Sequence, residues 1–153
     1  MNIIKSDLVE AKHDVLWNDI SLVIKDAIPA PVLVLVNDSE PNAAAADQVQ
    51  KMLGACKLAP SQYNIIYQRS DEQIAWHQLR DRLDPKIIFL IGILPSQLGV
   101  SALFKLNEPN HFNDRVWLPT ISTAELEQYP DIKKQLWTGG MHPIFIAKSF
   151  GTF

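Results

Sequence analysis

Apolar residues in this chain fall into short unbroken runs, separated by stretches where they recur every three or four positions. Pro31-Val32-Leu33-Val34-Leu35-Val36 is continuous and rich in β-branched residues, with Pro29 before it and Asn37-Asp38-Ser39 after it. Such a run predicts a strand buried on both faces. Beyond Pro41, the residues Ala45, Val49, Met52, Leu53 and Cys56 predict a helix with one stripe turned to the core, ending before Pro60. Tyr63-Asn64-Ile65-Ile66-Tyr67 predicts a second strand. Ser70-Asp71-Glu72-Gln73 has the spacing of a capping box and predicts that a helix opens there, with Trp76, Leu79 and Leu83 inward and a break at Asp84-Pro85. Lys86 to Ile91 predicts a third strand closed by Gly92, and Val116-Trp117-Leu118 a shorter fourth. Ser122-Thr123-Ala124-Glu125 is another capping box. Tyr129-Pro130 starts a final helix through Ile132, Leu136 and Trp137, with Gly139-Gly140 as its stop. Ser101 to Asp114 reads as a loop, and Trp117 and Trp137 as core.

Buried strands alternating with amphipathic helices predict an α/β fold, a three-layer αβα arrangement around a four-stranded parallel sheet. The strands are expected near residues 31–36, 63–67, 86–91 and 116–118. Residues 28–153 form a single α/β domain in this reading, and residues 1–27 stand apart as an N-terminal segment for packing or partner binding. Val15, Leu16 and Trp17, followed by Ile20, Leu22, Val23 and Ile24, carry too much apolar surface for a solvated tail. They serve either as an added layer or as a partner anchor.

Composition removes several classes. With 47% hydrophobic and 20% charged residues over 153 positions, the chain has enough apolar content for one ordered domain. The single cysteine, Cys56, excludes an intramolecular disulfide and any cysteine-rich metal site, and its place on the helix stripe predicts a buried structural thiol. His13, His77, His111 and His142 do not stand at ligand spacing, so neither a metal nor a cofactor is expected. Fourteen basic against 17 acidic residues leave a net charge of −3, which predicts weak, salt-sensitive nucleic-acid binding at most. No apolar run approaches the roughly 18 residues of a membrane span, and the first residues show no signal-peptide pattern. A cytoplasmic protein is the expectation. No glycine-rich nucleotide turn and no Gly-x-Ser-x-Gly elbow is present, and Ser96 reads as a helix cap.

Chemistry in a parallel sheet belongs at the carboxyl ends of the strands. The first such turn here is Asn37-Asp38-Ser39-Glu40-Pro41-Asn42. Its carboxylates and amides suit positioning of water or a metal; equally, Asp38 and Ser39 suit satisfying the backbone of a strand-to-helix turn. Opposite them, Thr120 and Ser122 complete a candidate strand-end cleft.

From Pro31 to Trp137 the pattern resembles the uracil-DNA glycosylase superfamily. The carriers are Lys51-Met52-Leu53 through Leu58, Tyr63, Asp84-Pro85-Lys86 through Gly92, Leu118-Pro119-Thr120, and above all Pro130-Asp131-Ile132-Lys133-Lys134-Gln135-Leu136-Trp137. The resemblance implies that fold but not its catalysis. The family's glycine-rich acidic turn falls on residues 37–42, its His-Pro pair on Ser122 and Thr123, and its asparagine near the second strand on Ile66. The cysteines that hold an iron–sulfur cluster in several members are absent. Ile28-Pro29-Ala30 leading into a strand that ends in Asn37-Asp38 resembles the superfamily's non-catalytic branch, the psi subunit of DNA polymerase III. That branch implies a protein-interaction subunit with chi-like and clamp-loader partners. The alternatives are a base-excision enzyme using Asp38 or Glu40 to orient water with Ser122 as a weak donor, and a small-molecule binding module using the same cleft.

The apolar N-terminal segment yields a direct test. Trp17→Ala is expected to leave unfolding cooperative while weakening partner capture about thirtyfold, the worth of ~2 kcal/mol at an interface. A packed layer would instead lose ~3–5 kcal/mol of stability in denaturant melts.

Overall fold

The computed structural model describes residues 28–37, 43–68 and 74–148. Val15, Leu16 and Trp17 lie outside them, as do Asp38, Ser39, Glu40 and the Ser70–Gln73 box. Five strands form one mixed sheet: β1 (Val32–Asn37), β2 (Tyr63–Gln68), β3 (Ile87–Ile91), β4 (Asn110–Phe112) and β5 (Arg115–Thr120). Their order is β2-β1-β3-β5-β4. The first three strands and β5 are parallel, with Val34 beside Ile65 and Phe89, and Phe89 beside Leu118. The helices are α1 (Ala43–Ala55), α2 (Trp76–Leu83), α3 (Thr123–Gln128) and α4 (Pro130–Leu136), with a π-helix over Trp137–Ile146. Among the described residues, none of these helices is long and apolar enough to cross a membrane.

The side-chain alternation of β1 divides the interior into two cores. Val32, Val34 and Val36 join Phe89, Leu118 and the inward residues of α1, α3, α4 and the π-helix. Leu33 and Leu35 join Ile88, Leu90, Trp117 and the inward residues of α2. Burying each such aliphatic side chain contributes ~1.5–3 kcal/mol.

The fifth strand corrects the expected all-parallel, four-stranded sheet. Within the stretch read as a loop, Asn110–Phe112 turns back antiparallel on β5, with Phe112 opposite Arg115. Asn113 and Asp114 both adopt positive φ, 55° and 60°, the conformation a two-residue hairpin requires. Asn110 pins the approach by accepting from the Lys105 N–H at 2.9 Å and donating to the carbonyls of Lys105 and Glu108. Beneath the hairpin, Trp76 and Trp117 meet edge to face at 4.7 Å, and Phe104 and Phe112 complete the cluster. Both indole nitrogens are satisfied, Trp76 by Asn113 Oδ1 and Trp117 by the Phe112 carbonyl. Arg115 lies over the Trp76 ring while it donates to the Pro85 carbonyl and Asp84. The bond from Arg115, seconded by Lys86, holds the Asp84 carboxyl below its ordinary range.

Helix ends also differ from expectation. α2 starts at Trp76, because Ala75 is extended and Gln78 reaches back to accept its N–H. Ser96 caps nothing: the 3₁₀ turn after β3 is closed by Gln97, which accepts from the Leu94 N–H at 2.8 Å. Gly139 and Gly140 do not stop the last helix but lie inside its π-helical continuation. An α-helical turn would bring the Pro143 ring against the carbonyl four residues back, and the wider π turn relieves that contact. The glycines serve close approach instead. A Cβ on Gly140 would stand 2.5 Å from Leu118 Cδ1, and one on Gly139 would stand 3.0 Å from the Asn107 carbonyl oxygen.

Gly140→Ala is therefore expected to destabilise by ~1–3 kcal/mol in urea titrations, because Leu118 is fully buried and cannot yield. Gly54, in α1 with nothing within 4 Å of its would-be Cβ, is the counter-case. Gly54→Ala should raise stability by ~0.4–1 kcal/mol.

Candidate functional site

The strand order reverses between β1 and β3, so their carboxyl ends flank the position where open α/β sheets ordinarily leave a crevice. Here the described strand exits meet directly. Asn37, at the end of β1, donates from Nδ2 to the Gly92 carbonyl at 3.0 Å, tying the two strand exits together. Gly92 has a positive φ of 74°, and a Cβ on it would lie 3.0 Å from both Cα and Cβ of Ser122 and 3.3 Å from Asn37 Cβ. Only glycine permits this approach. The backbone of Gly92 thus fills the gap between Asn37 and Ser122, and its N–H donates to the Thr120 carbonyl at 3.0 Å.

Each described candidate has a structural task. Ser122 is the N-cap of α3: its Oγ accepts from the Glu125 N–H at 3.3 Å, and Glu125 Oε1 accepts from the Ser122 N–H at 3.2 Å. This is the reciprocal box expected from the spacing. Thr120, 3% exposed, donates from its hydroxyl to Asn107 Oδ1 at 2.7 Å. The Asn107 N–H in turn donates to the Pro119 carbonyl, so the loop before β4 is fastened over the end of β5. Thr123 is buried at the first turn of α3, and Ile66 belongs to the core on the α2 side. Asn37, Thr120 and Ser122 are thus each engaged in the frame of the fold. Asp38, Ser39 and Glu40 lie outside the described residues.

Among the described residues an open groove lies between α1 and the α3–α4 pair, with a volume of about 790 Å³ and with Thr123 and Ala124, just past the end of β5, in its lining. Met52, Leu136 and Met141 are buried in its floor, and the half-buried Trp137 forms one side. Trp137 packs against the core with one side and faces the groove with the other, so it is half-buried where a core position was expected. Its ring meets exposed His142 edge-on at 5.9 Å. Asp47, Lys51, Glu127 and Lys133 stand at the rim, with Asp47 and Lys51 paired at 3.1 Å. Gln48 stands in the wall at 7% exposure. This residue was legible but passed over: it falls between Ala45 and Met52 on the apolar stripe, where packing alone calls for Leu.

Among the described residues, no group of three or more His, Cys, Asp or Glu is placed to hold a metal ion. Compared with known proteins, the chain matches no family model and no curated sequence.

Cys56 follows the end of α1 instead of lying on it, and is 2% exposed. Burial pushes its thiol up to about 12. At pH 8 only roughly one molecule in 10⁴ then carries the thiolate, the form that reacts. Incubation of the native protein with an aromatic disulfide reagent at pH 8 should leave Cys56 unlabelled until denaturant unfolds the chain. Stoichiometric labelling within minutes would contradict this.

Proposed function

We propose that this chain is a non-catalytic protein-interaction subunit with a three-layer fold of the uracil-DNA glycosylase type, closest to the psi subunit of DNA polymerase III. The observation that supports the reading is the engagement of the described strand-end residues, with Gly92 against Asn37 and Ser122 and Ser122 committed to the cap of α3. A glycosylase needs room for an extruded base and a donor aimed at the departing ring oxygen. At this position Gly92 packs against Ser122 and Asn37, and Ser122 spends its hydroxyl and its N–H on the cap of α3. A side chain committed in this way does not also stabilise a developing oxyanion.

In this reading the protein works in the cytoplasm, at the clamp loader, with a chi-like subunit as a second partner. Residues 1–27 carry the contact through Val15, Leu16 and Trp17. Direct contact with DNA is weak, since a net charge of −3 supplies no field to hold phosphates and any residual affinity falls with added salt.

Incubation with uracil-containing single- and double-stranded oligonucleotides, followed by alkaline cleavage, tests the reading. Strand scission is expected to equal that of an Asp38→Ala, Ser122→Ala double variant. Losing one good oxyanion donor lowers a rate by about 10²–10³. Scission well above the control would instead establish the alternative, an excision enzyme with altered residues.

A further inference from the structure

The face that carries the groove between α1 and the α3–α4 pair also carries a projection. Tyr129, at the junction of α3 and α4, is 51% exposed, the one exposed Phe, Tyr or Trp among the described residues. Its backbone serves the fold. The N–H closes α3 on the Glu125 carbonyl, and the Tyr129 carbonyl accepts from the Lys133 N–H at 3.1 Å. Its side chain does not, making neither a hydrogen bond nor a ring contact among the described residues. The bond from Lys133 sets the tyrosine one helical turn before a residue that lines the groove. Glu127, two residues ahead of the tyrosine, lines the groove from α3. Knob and hollow therefore lie side by side.

The charges on the rim divide in two. Asp47 and Lys51 satisfy one another at 3.1 Å, whereas Glu127 and Lys133 form no ion pair among the described residues. The patch thus asks a partner for an aromatic ring to fill the hollow over Met52, Leu136 and Met141, a base for Glu127 and an acid for Lys133. It supplies all three itself. A surface that is its own complement, with knob and hollow adjacent, closes under a two-fold rotation. We infer that this face joins two copies of the chain in an isologous dimer: Tyr129 of each copy enters the groove of the other, and Glu127 of each meets Lys133 of the other. Methionines in the floor suit an inserted ring, since their unbranched side chains adapt to it and sulfur packs favourably against aromatic edges. The inference rests on this face alone and not on the psi-like reading.

The test is sedimentation velocity on the full chain between about 1 and 300 μM, the range in which a small interface of this kind associates. A monomer–dimer equilibrium is expected, weakened by added salt. Tyr129→Ser should weaken it about tenfold or more while leaving the melting temperature of the dilute monomer unchanged, because the ring is an anchor and not part of the core. Glu127→Lys alone and Lys133→Glu alone should each keep the chain monomeric, since like charges then face one another. An equimolar mixture of those two variants should recover dimers, because both contacts again join opposite charges. The exchanged double variant, Glu127→Lys with Lys133→Glu, should recover them as well. A full chain that stays monomeric throughout overturns the inference. So do dimers that survive Tyr129→Ser or either single reversal, and so does a mixture that stays monomeric. Uracil excision by this chain would overturn the proposed function and leave the dimer untouched.

Discussion

The two central strands contain no polar residue from Val32 to Val36 or from Ile87 to Ile91, and every one of those side chains is at most 2% exposed. A strand of that kind is stable only when both of its faces are covered. The rest of the fold follows from this demand. Valines of β1 require α1, α3, α4 and the π-helix on one side, and leucines of the same strand require α2 and the aromatic cluster on the other. The close packing at Gly140 and at Gly92 serves the same end, drawing the π-helix and α3 down onto the sheet.

The contacts at the strand exits are a consequence of that compactness. In a doubly wound sheet the strand exits at the reversal point are pushed apart by the helices that follow them, and the gap becomes a site. Here a short polar bridge, Asn37 to Gly92, and a cap residue in contact with the same glycine hold the exits together. Asn37, Thr120 and Ser122, polar residues that look like chemistry in a linear reading, are engaged in structural hydrogen bonds. Among the described residues, a groove opens between α1 and the α3–α4 pair over Met52 and Met141.

The strands and the capped start of α3 were legible because each rests on a local signal: an unbroken apolar run, or a serine three residues before a glutamate. β4 was missed for a physical reason. Three residues make too little pattern, and its pairing depends on Asn113-Asp114, a turn signal without the glycine that usually announces it. Gly139-Gly140 misled because glycine after a helix ordinarily ends it, whereas these two answer to Leu118 and Asn107, neighbours distant in sequence. The Ser70–Gln73 box lies outside the described residues, and the described α2 starts only at Trp76, after an extended Ala75. At the candidate site, residue identities were readable but their commitments were not. Nothing in the linear order of Asn37, Gly92 and Ser122 announces that they touch.

The central claim is that this chain acts by holding other proteins and not by transforming a base. Its most direct test is purification of the tagged full chain from its own cells, with quantitative mass spectrometry of what accompanies it. The account predicts stoichiometric recovery of clamp-loader subunits, retained at salt concentrations that strip nucleic acid. Recovery of the chain without those subunits under conditions that preserve known clamp-loader complexes would contradict it.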